Sequence, residues 1–598
     1  VGNVEVYKST QADINEGGIG GTVDVHTRMP LSLPPLVVQA SAQGVYDSVA
    51  GNTDPSGSAL LSWHNDDKTF GILVGGVYQK RSFRHDGIEI LGYTDYVHST
   101  DPVTGLPVGG IVDQNGVHHD ATAPNLIGSV LFQQVREREG GNFAVQFEPN
   151  DQLSVAVTGL YEHMNANNFN QNYMAWVQQM LGAGSVVNNP TFKPATADEP
   201  YQTLTGGDFN INPGANGVVF DAIDRIAHTQ TENIDLDVTY KPNDQWRLHG
   251  QVGYTKARGS TDSQPFWETN APTGLSFDLS GVPKVSFADI NPNTSDSALA
   301  LGWASDNSFV NDDNEFYAFA DAERFFDAGP FKSLQFGAKF SDHNRNVDVT
   351  YGQRRALLPW TGPGATACGG HTCSLADVSD GQTPSDFLKG IAEPGVLNSY
   401  LMASQSKIEA IYAGLPPADK YDPAIGATQA AGCVGLTNCD HFGPLESFTL
   451  NEKTFGGYVM GKFGGDGWRG NIGVRVVETQ EHTGAWAVGV PAGTPGAVNN
   501  PFGLIAPISF DKNYVDVLPS ANLIFNLRPD IDLRFSAGRS IARPDYAQIA
   551  GFTSLTPTLL TASGGNPHLD PYRSNNFDAS IEWYFAPQSV LSFGLFYK

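Results

Sequence analysis

No stretch of the 598-residue chain approaches the roughly 18 uninterrupted apolar residues that a membrane-spanning helix needs. With 40% hydrophobic residues and a mean hydropathy of -0.24, the composition argues against a helical membrane protein. It does not argue against a membrane barrel, whose strands alternate outward apolar with inward polar residues and so average to an unremarkable value. Basic residues are scarce as well: 35 Lys and Arg face 63 Asp and Glu, a net charge of -28. Nucleic acid needs a basic footprint, so no nucleic-acid partner is expected. The acidity suits large acidic loops over a barrel mouth, or a cationic or metal-bearing ligand. Catalytic signatures are also missing. No Gly-x-Gly-x-x-Gly segment follows a strand and opens a helix, and there is neither a phosphate loop nor a Gly-x-Ser-x-Gly elbow. No enzyme is expected, and no cofactor.

Cysteine is limited to four residues in two close pairs, Cys368 with Cys373 and Cys433 with Cys439. Even number and local pairing in loop-like surroundings point to two small disulfides in an oxidising compartment. A zinc site is the weaker reading, because the spacing inside each pair exceeds the usual two to four residues, although His371 lies between the first two. Four cysteines allow three connectivities.

Glycine (66 residues) and aromatics (11%) are plentiful, which suits β-strands with aromatic girdles. The length exceeds the usual limit of roughly 300 residues for a single core, so the chain is several domains or one very large β architecture. From Leu36 onward, segments of period 2 recur: 36–46, 57–65, 69–79, 129–137, 142–147, 152–162, 232–241, 245–256, 315–325, 333–342, 453–463, 468–478, 514–527, 530–540, 575–585 and 589–598. Tight turns of Pro, Asn, Asp and Gly join some of them, at 65–68, 149–151, 242–244, 464–467 and 528–530. Long connections join the others, at 81–127, 163–231, 257–314 and 343–452. Short turns on one side and long loops on the other are the layout of an outer-membrane barrel. Aromatics near strand ends, among them Tyr46, Trp63, Phe147, Tyr240, Trp468 and Trp583, fit the headgroup level of a bilayer.

Two motifs sharpen this reading. Near the start, Val4-Glu5-Val6 is followed by Glu16-Gly17-Gly18-Ile19-Gly20-Gly21-Thr22-Val23-Asp24-Val25-His26-Thr27-Arg28 and Pro30. The cluster Gly17, Gly18, Gly20 and Gly21 asks for a tight turn or close backbone crossing at a strand entrance. Late in the chain stand Ser536-Ala537-Gly538-Arg539-Ser540-Ile541-Ala542-Arg543-Pro544-Asp545-Tyr546 and Gly564-Gly565-Asn566-Pro567-His568-Leu569-Asp570-Pro571-Tyr572-Arg573-Ser574. The first motif resembles the end of the plug domain of TonB-dependent outer-membrane receptors, and the later two resemble strand-to-loop segments of their barrels. The resemblance implies an all-β fold: a large antiparallel transmembrane β-barrel of the 22-stranded type, incomplete here, carrying the C-terminal remnant of a plug. Residues 1–30 would be that remnant and 31–598 the barrel. Val1 opens directly on a strand-like motif and 589–598 stops inside one, so an internal portion of a longer protein is expected.

The resemblance further implies a receptor in the bacterial outer membrane, a monomeric barrel in contact with outer-membrane lipids. It would import a scarce ligand by active transport driven by a periplasmic TonB-type energy-coupling protein. Arg28 is expected to pair with lumen carboxylates. For the ligand, Tyr173, Trp176, Phe266, Trp267, Trp303 and Trp360 are read as loop aromatics beside carboxylates and amides, the means of packing a sugar ring. A glycan or oligosaccharide is therefore favoured, with a siderophore or other metal chelate next. A passive porin or surface adhesin without energy coupling is the alternative, and a secreted β-rich glycan hydrolase is third. His118-His119-Asp120 is read as a solvated corner rather than a metal site. The spacing of Asp306, Asp312, Asp313 and Glu315 does not fit a calcium-binding loop of the EF-hand type.

Overall fold

The computed structural model describes the chain apart from residues 1, 101–106, 327–328, 355–356, 358–366, 416–438, 501–502 and 557–560. Fifteen antiparallel strands among the described residues form a barrel wall. They are Leu36–Asp47, Asn52–His64, Phe70–Ile90, Leu126–Asn150, Leu153–Asn165, Val218–Asn243, Trp246–Ser263, Ser308–Phe325, Phe331–Gln353, Phe448–Gly465, Trp468–Val488, Gly503–Arg528, Ile531–Ala542, Tyr572–Ala586 and Ser589–Tyr597. Shorter pieces carry individual strands onward: Asn168–Trp176 extends the fifth, Pro265–Ala271 the seventh, and Ala300–Asp306 precedes the eighth.

Every expected segment lies in a wall strand, with one correction. The expected strands 129–137 and 142–147 are parts of one strand, Leu126–Asn150. Gly140 and Gly141 interrupt the apolar alternation, but the ladder passes through them unbroken, opposite Val77 and Gly76.

The strands also reach much further than the alternating pattern. Val218–Asn243 has 26 residues and Phe70–Ile90 has 21, whereas a tilted strand needs only about 9–11 to cross a bilayer. Much of what reads as loop in the sequence is therefore wall rising beyond the membrane.

Side-chain parity assigns the two faces. On Val218–Asn243 the even positions Ile234, Leu236 and Tyr240 are 53%, 40% and 42% exposed, an outward apolar face. The odd positions Asp235 and Asp237 point into the lumen, where Asp237 meets His249 at 2.7 Å and His249 meets Asp321 at 2.8 Å. Beside the short turns, Trp63, Phe70, Phe147, Trp583 and Phe585 are exposed and form one aromatic belt.

Beyond the wall, the long connections fold on themselves. Tyr93–Tyr96, Ala121–Pro124, Val187–Lys193, Gln202–Phe209, Leu275–Asp278 and Lys284–Phe287 make a second sheet over a core containing Ile111, Met180, Leu204 and Phe209. A second core joins residues 368–408 to the outer face of the extended strands, with Phe387, Tyr400 and Ile408 against Leu131, Phe220 and Trp267. Tyr400 Oη donates to the Gln171 carbonyl at 3.1 Å and Tyr412 Oη to the Phe266 carbonyl at 2.7 Å, tying this segment to the wall.

Candidate functional site

Asn3–Tyr7 and Thr22–His26 form a two-stranded antiparallel hairpin, and residues 8–21 connect its strands. Gly17 and Gly21 take φ of 122° and 137°, values open to glycine and strained for other residues. A Cβ at Gly21 would also lie 2.7 Å from the Tyr7 carbonyl oxygen, and one at Gly18 2.5 Å from that of Gly21. Gly20 has ordinary φ and open space around it. These close approaches are internal to the segment. Where the segment meets the wall, the wall supplies the glycines: a Cβ on Gly473 would sit 2.8 Å from Ala12 Cβ, and one on Gly538 would collide with Thr10 Oγ1.

A buried ionic contact fixes the same connection. Glu16 Oε2 lies 2.8 Å from Arg475 Nε and Glu16 Oε1 lies 3.2 Å from Arg543 Nη2. Arg543 Nη2 also donates to Thr479 Oγ1 at 3.0 Å, and Arg543 Nε approaches Glu452 Oε2 at 3.6 Å. Asn522 Nδ2 donates to the Thr10 carbonyl at 2.9 Å and Asn471 Nδ2 to Gln11 Oε1 at 3.2 Å. Burial pushes the Glu16 carboxyl up, but the fields of Arg475 and Arg543 outweigh it and hold the group at about 2. The sequence reading assigned the lumen ion pair to Arg28. Arg28 donates to the Gln39 carboxamide at 3.3 Å, and Glu16 adds a buried ion pair between the hairpin connection and the wall. Arg543 sits inside the late motif quoted above, the one sequence signal that could have found it.

Glu452, which Arg543 approaches, is the register partner of His343, and an aromatic and cationic group gathers there. His343 stacks on Tyr546 with centroids 4.7 Å apart and planes 23° apart. The Arg345 guanidinium stands 5.9 Å from the same ring. Asp313 takes His343 Nε2 at 2.8 Å.

The aromatics expected in loops are all, where described, in strands. Tyr173 and Trp176 belong to Asn168–Trp176, Phe266 and Trp267 to Pro265–Ala271, and Trp303 to Ala300–Asp306. Register divides them. Tyr173 pairs with Phe220 and Trp267 with Ala222, even positions on the outward face, and both rings are fully buried beneath residues 368–408. Trp303 opposes Glu268, which opposes the lumen-facing Asp221; Trp176 and Phe266 fall on that lumen face by alternation. Trp176, Phe266 and Trp303 are half-buried. Trp360 lies outside the described residues.

A family model for the β-barrel of TonB-dependent receptor-like proteins matches residues 184–598. The chain belongs to the TonB-dependent receptor family. That places it in the bacterial outer membrane, as an all-β transmembrane barrel of a transporter family rather than an enzyme. A search of curated proteins gives no match. Solved structures similar in outline include the siderophore receptor PiuA from Acinetobacter baumannii, at 12% identity and TM-score 0.47, covering 99% of this chain and 61% of that one. The ferric-catecholate import receptor Fiu from Escherichia coli K12 in its closed form stands at 10% identity and TM-score 0.47, covering 98% of this chain and 61% of that one. The ferric yersiniabactin uptake receptor FyuA from Yersinia pestis stands at 11% and 0.43, covering 96% and 56%. The chain thus spans less than two thirds of the length of each.

Cys368 and Cys373 form a disulfide with Cα atoms 5.4 Å apart, which removes the zinc reading for that pair and leaves His371 to Asp377, at 2.8 Å. Cys433 lies outside the described residues and the Cys439 side chain is likewise not described, so that pairing stands as an expectation. His119 meets Asp113 at 3.2 Å and His98 meets Asp120 at 2.7 Å. Asp306, Asp312 and Asp313 each have a cationic partner, Arg354, Arg258 and His343.

Proposed function

We propose that this receptor imports a scarce ligand across the outer membrane, with residues 1–30 as the end of a plug inside the barrel formed by 31–598. The observation that supports it most directly is the buried contact of Glu16 with Arg475 and Arg543, which holds the hairpin connection against the inner wall. A barrel of this width would leak solutes unless an inserted segment blocks it. Movement of that segment by a periplasmic TonB-type partner would then open the path. The barrel is proposed to act as a monomer in contact with outer-membrane lipids.

For the ligand we favour a metal chelate of the siderophore kind. The stacked His343 and Tyr546 with Arg345 beside them offer flat rings and positive charge to an anionic chelate, and His343 is the register partner of Glu452, which Arg543 of the Glu16 anchor also approaches. An oligosaccharide is the second reading, supported by Trp176 and Trp303 on the lumen face near Asp221 and Glu268. The sequence preference for a glycan rested partly on Tyr173 and Trp267, whose rings are buried on the outward face and cannot pack a sugar there.

The test is uptake by cells expressing the complete receptor in strains with and without TonB. Radio-iron in catecholate and hydroxamate chelates and a labelled oligosaccharide panel serve as probes. TonB-dependent iron uptake that falls at least tenfold in Arg345→Ala supports the chelate. Oligosaccharide uptake lost in Trp176→Ala supports the second reading. Uptake that persists without TonB returns the passive porin.

A further inference from the structure

On the lumen face of the extended wall, three acidic and amide side chains stand in direct register on three adjacent strands. Asn172 opposes Asp221, and Asp221 opposes Glu268. Direct cross-strand partners share a face, with Cβ atoms about 4.5–5.5 Å apart. Asn170 joins them from the first of these strands, diagonal to Asp221.

Asn172 and Asp221 are 6% and 9% exposed, and Oδ1 of Asn170, Asn172 and Asp221 has no hydrogen-bond partner among the described residues. Glu268 Oε1 accepts one hydrogen bond, from Asn270 Nδ2 at 3.2 Å. No ion pair among the described residues reaches Asp221 or Glu268. The basic side chain on the same face of the strand, Arg225, turns to Gln264 at 3.2 Å.

A nearly buried Asp221 carboxylate beside the half-buried Glu268, with two orphaned carboxamide oxygens and no cationic side chain paired to either acid, is a costly arrangement for a protein to retain. Their chemistry is uniform: hard oxygen donors, a mixture of charged and neutral. That donor set suits calcium, which takes six to eight oxygens in flexible geometry, and suits magnesium and softer metals poorly. We propose that Asn170, Asn172, Asp221 and Glu268 form a calcium site that ties the three extended strands together above the membrane.

Trp303 is the register partner of Glu268, so an indole stands beside the site and can sensitise a bound lanthanide. Terbium luminescence excited through tryptophan, in the full chain purified in detergent, is the experiment. Wild-type protein should show terbium emission that calcium displaces with an affinity in the range of about 10⁻⁴–10⁻³ M typical of extracellular calcium modules. Emission should fall at least tenfold in Asp221→Asn/Glu268→Gln and stay unchanged in Asp312→Asn. Melting in calcium and in chelator is the second measurement and needs no variant: calcium should raise the wild-type midpoint by several degrees where equal magnesium does not. A wild-type protein with no calcium-displaceable emission and no calcium-dependent midpoint overturns the proposal. So does a double variant that folds and keeps its emission. A double variant that melts higher than wild type in both buffers, with wild type indifferent to calcium, assigns the carboxylates a shared proton instead and also overturns it.

Discussion

Glu16 and Arg475 meet at 2.8 Å with both side chains almost wholly buried, an ionic contact between the N-terminal hairpin segment and the barrel wall. Removing one partner of a buried pair leaves the other charge unsolvated and costs about 3–5 kcal/mol. Glu16→Gln removes the carboxylate shared by Arg475 and Arg543, leaving Arg543 only the longer ionic approach to Glu452, so it should loosen the 8–21 connection without unfolding the barrel. Trypsin should then cut at Lys8 or Arg28 at least tenfold faster than in wild type, while the heat-modifiable mobility of the barrel stays unchanged. Equal cutting rates would show that the hydrogen bonds of Thr10 and Gln11 suffice.

The same pair has a definite pH signature. The Glu16 carboxyl is depressed from 4.5 to about 2, so the folded state binds its proton less readily than the unfolded state does. A depressed carboxylate contributes stability that is fully present above the unfolded value and is lost as pH falls through the folded value. Protection of Lys8 and Arg28 should therefore persist at neutral pH, decline below about 4.5, and vanish near 2. An acid-stable protease active across that window reads this directly. Loss of protection between pH 7 and 5 would point to a histidine instead.

Glycine substitutions separate the two sides of the contact. Gly473→Val places a branched side chain where Ala12 already lies 2.8 Å away, and should expel the segment with the same proteolytic signature as Glu16→Gln. Gly21→Ala combines φ of 137° with a 2.7 Å approach to Tyr7 and should cost about 1–3 kcal/mol of hairpin stability. Gly20→Ala meets neither constraint and should be neutral. Hydrogen exchange of the Thr22–His26 amides orders the three.

How far the sequence carries this structure depends on what each residue faces. In the bilayer zone one face meets lipid and the other water, so Phe70, Ile72 and Val74 alternate visibly with inward residues and the wall was legible. Beyond that zone both faces of Leu126–Asn150 are covered: Ile127 and Leu131 pack under loops on one side, Val130 against Met174 on the other. Period 2 disappears from such a strand, and 163–231 reads as loop although Asn168–Trp176 and part of Val218–Asn243 run through it. The lost register also hid which aromatics share a face, so Tyr173 and Trp267 were grouped with Trp176 and Trp303. Glu16 stands in a motif whose local signal is its glycines, and nothing local shows that Arg475 and Arg543 converge on it from hundreds of residues away.

The division of the aromatics yields the last prediction. Trp267 is fully buried in the core that joins residues 368–408 to the outer wall, so Trp267→Ala should cost about 3–5 kcal/mol. That loss falls on the cap, and proteolysis should release fragments from 367–415 while the wall survives. Trp176→Ala and Trp303→Ala remove half-buried rings from the lumen face, where truncation costs less. They should leave the cap's protease resistance within twofold of wild type. Any change in ligand affinity they cause is then a change at the lumen surface, whereas a loss in Trp267→Ala must track the fraction of molecules with an intact cap. Measuring affinity and cap proteolysis on the same samples distinguishes these cases. A Trp267→Ala protein with a resistant cap and lost affinity would put that ring in direct contact with ligand, against the burial seen here.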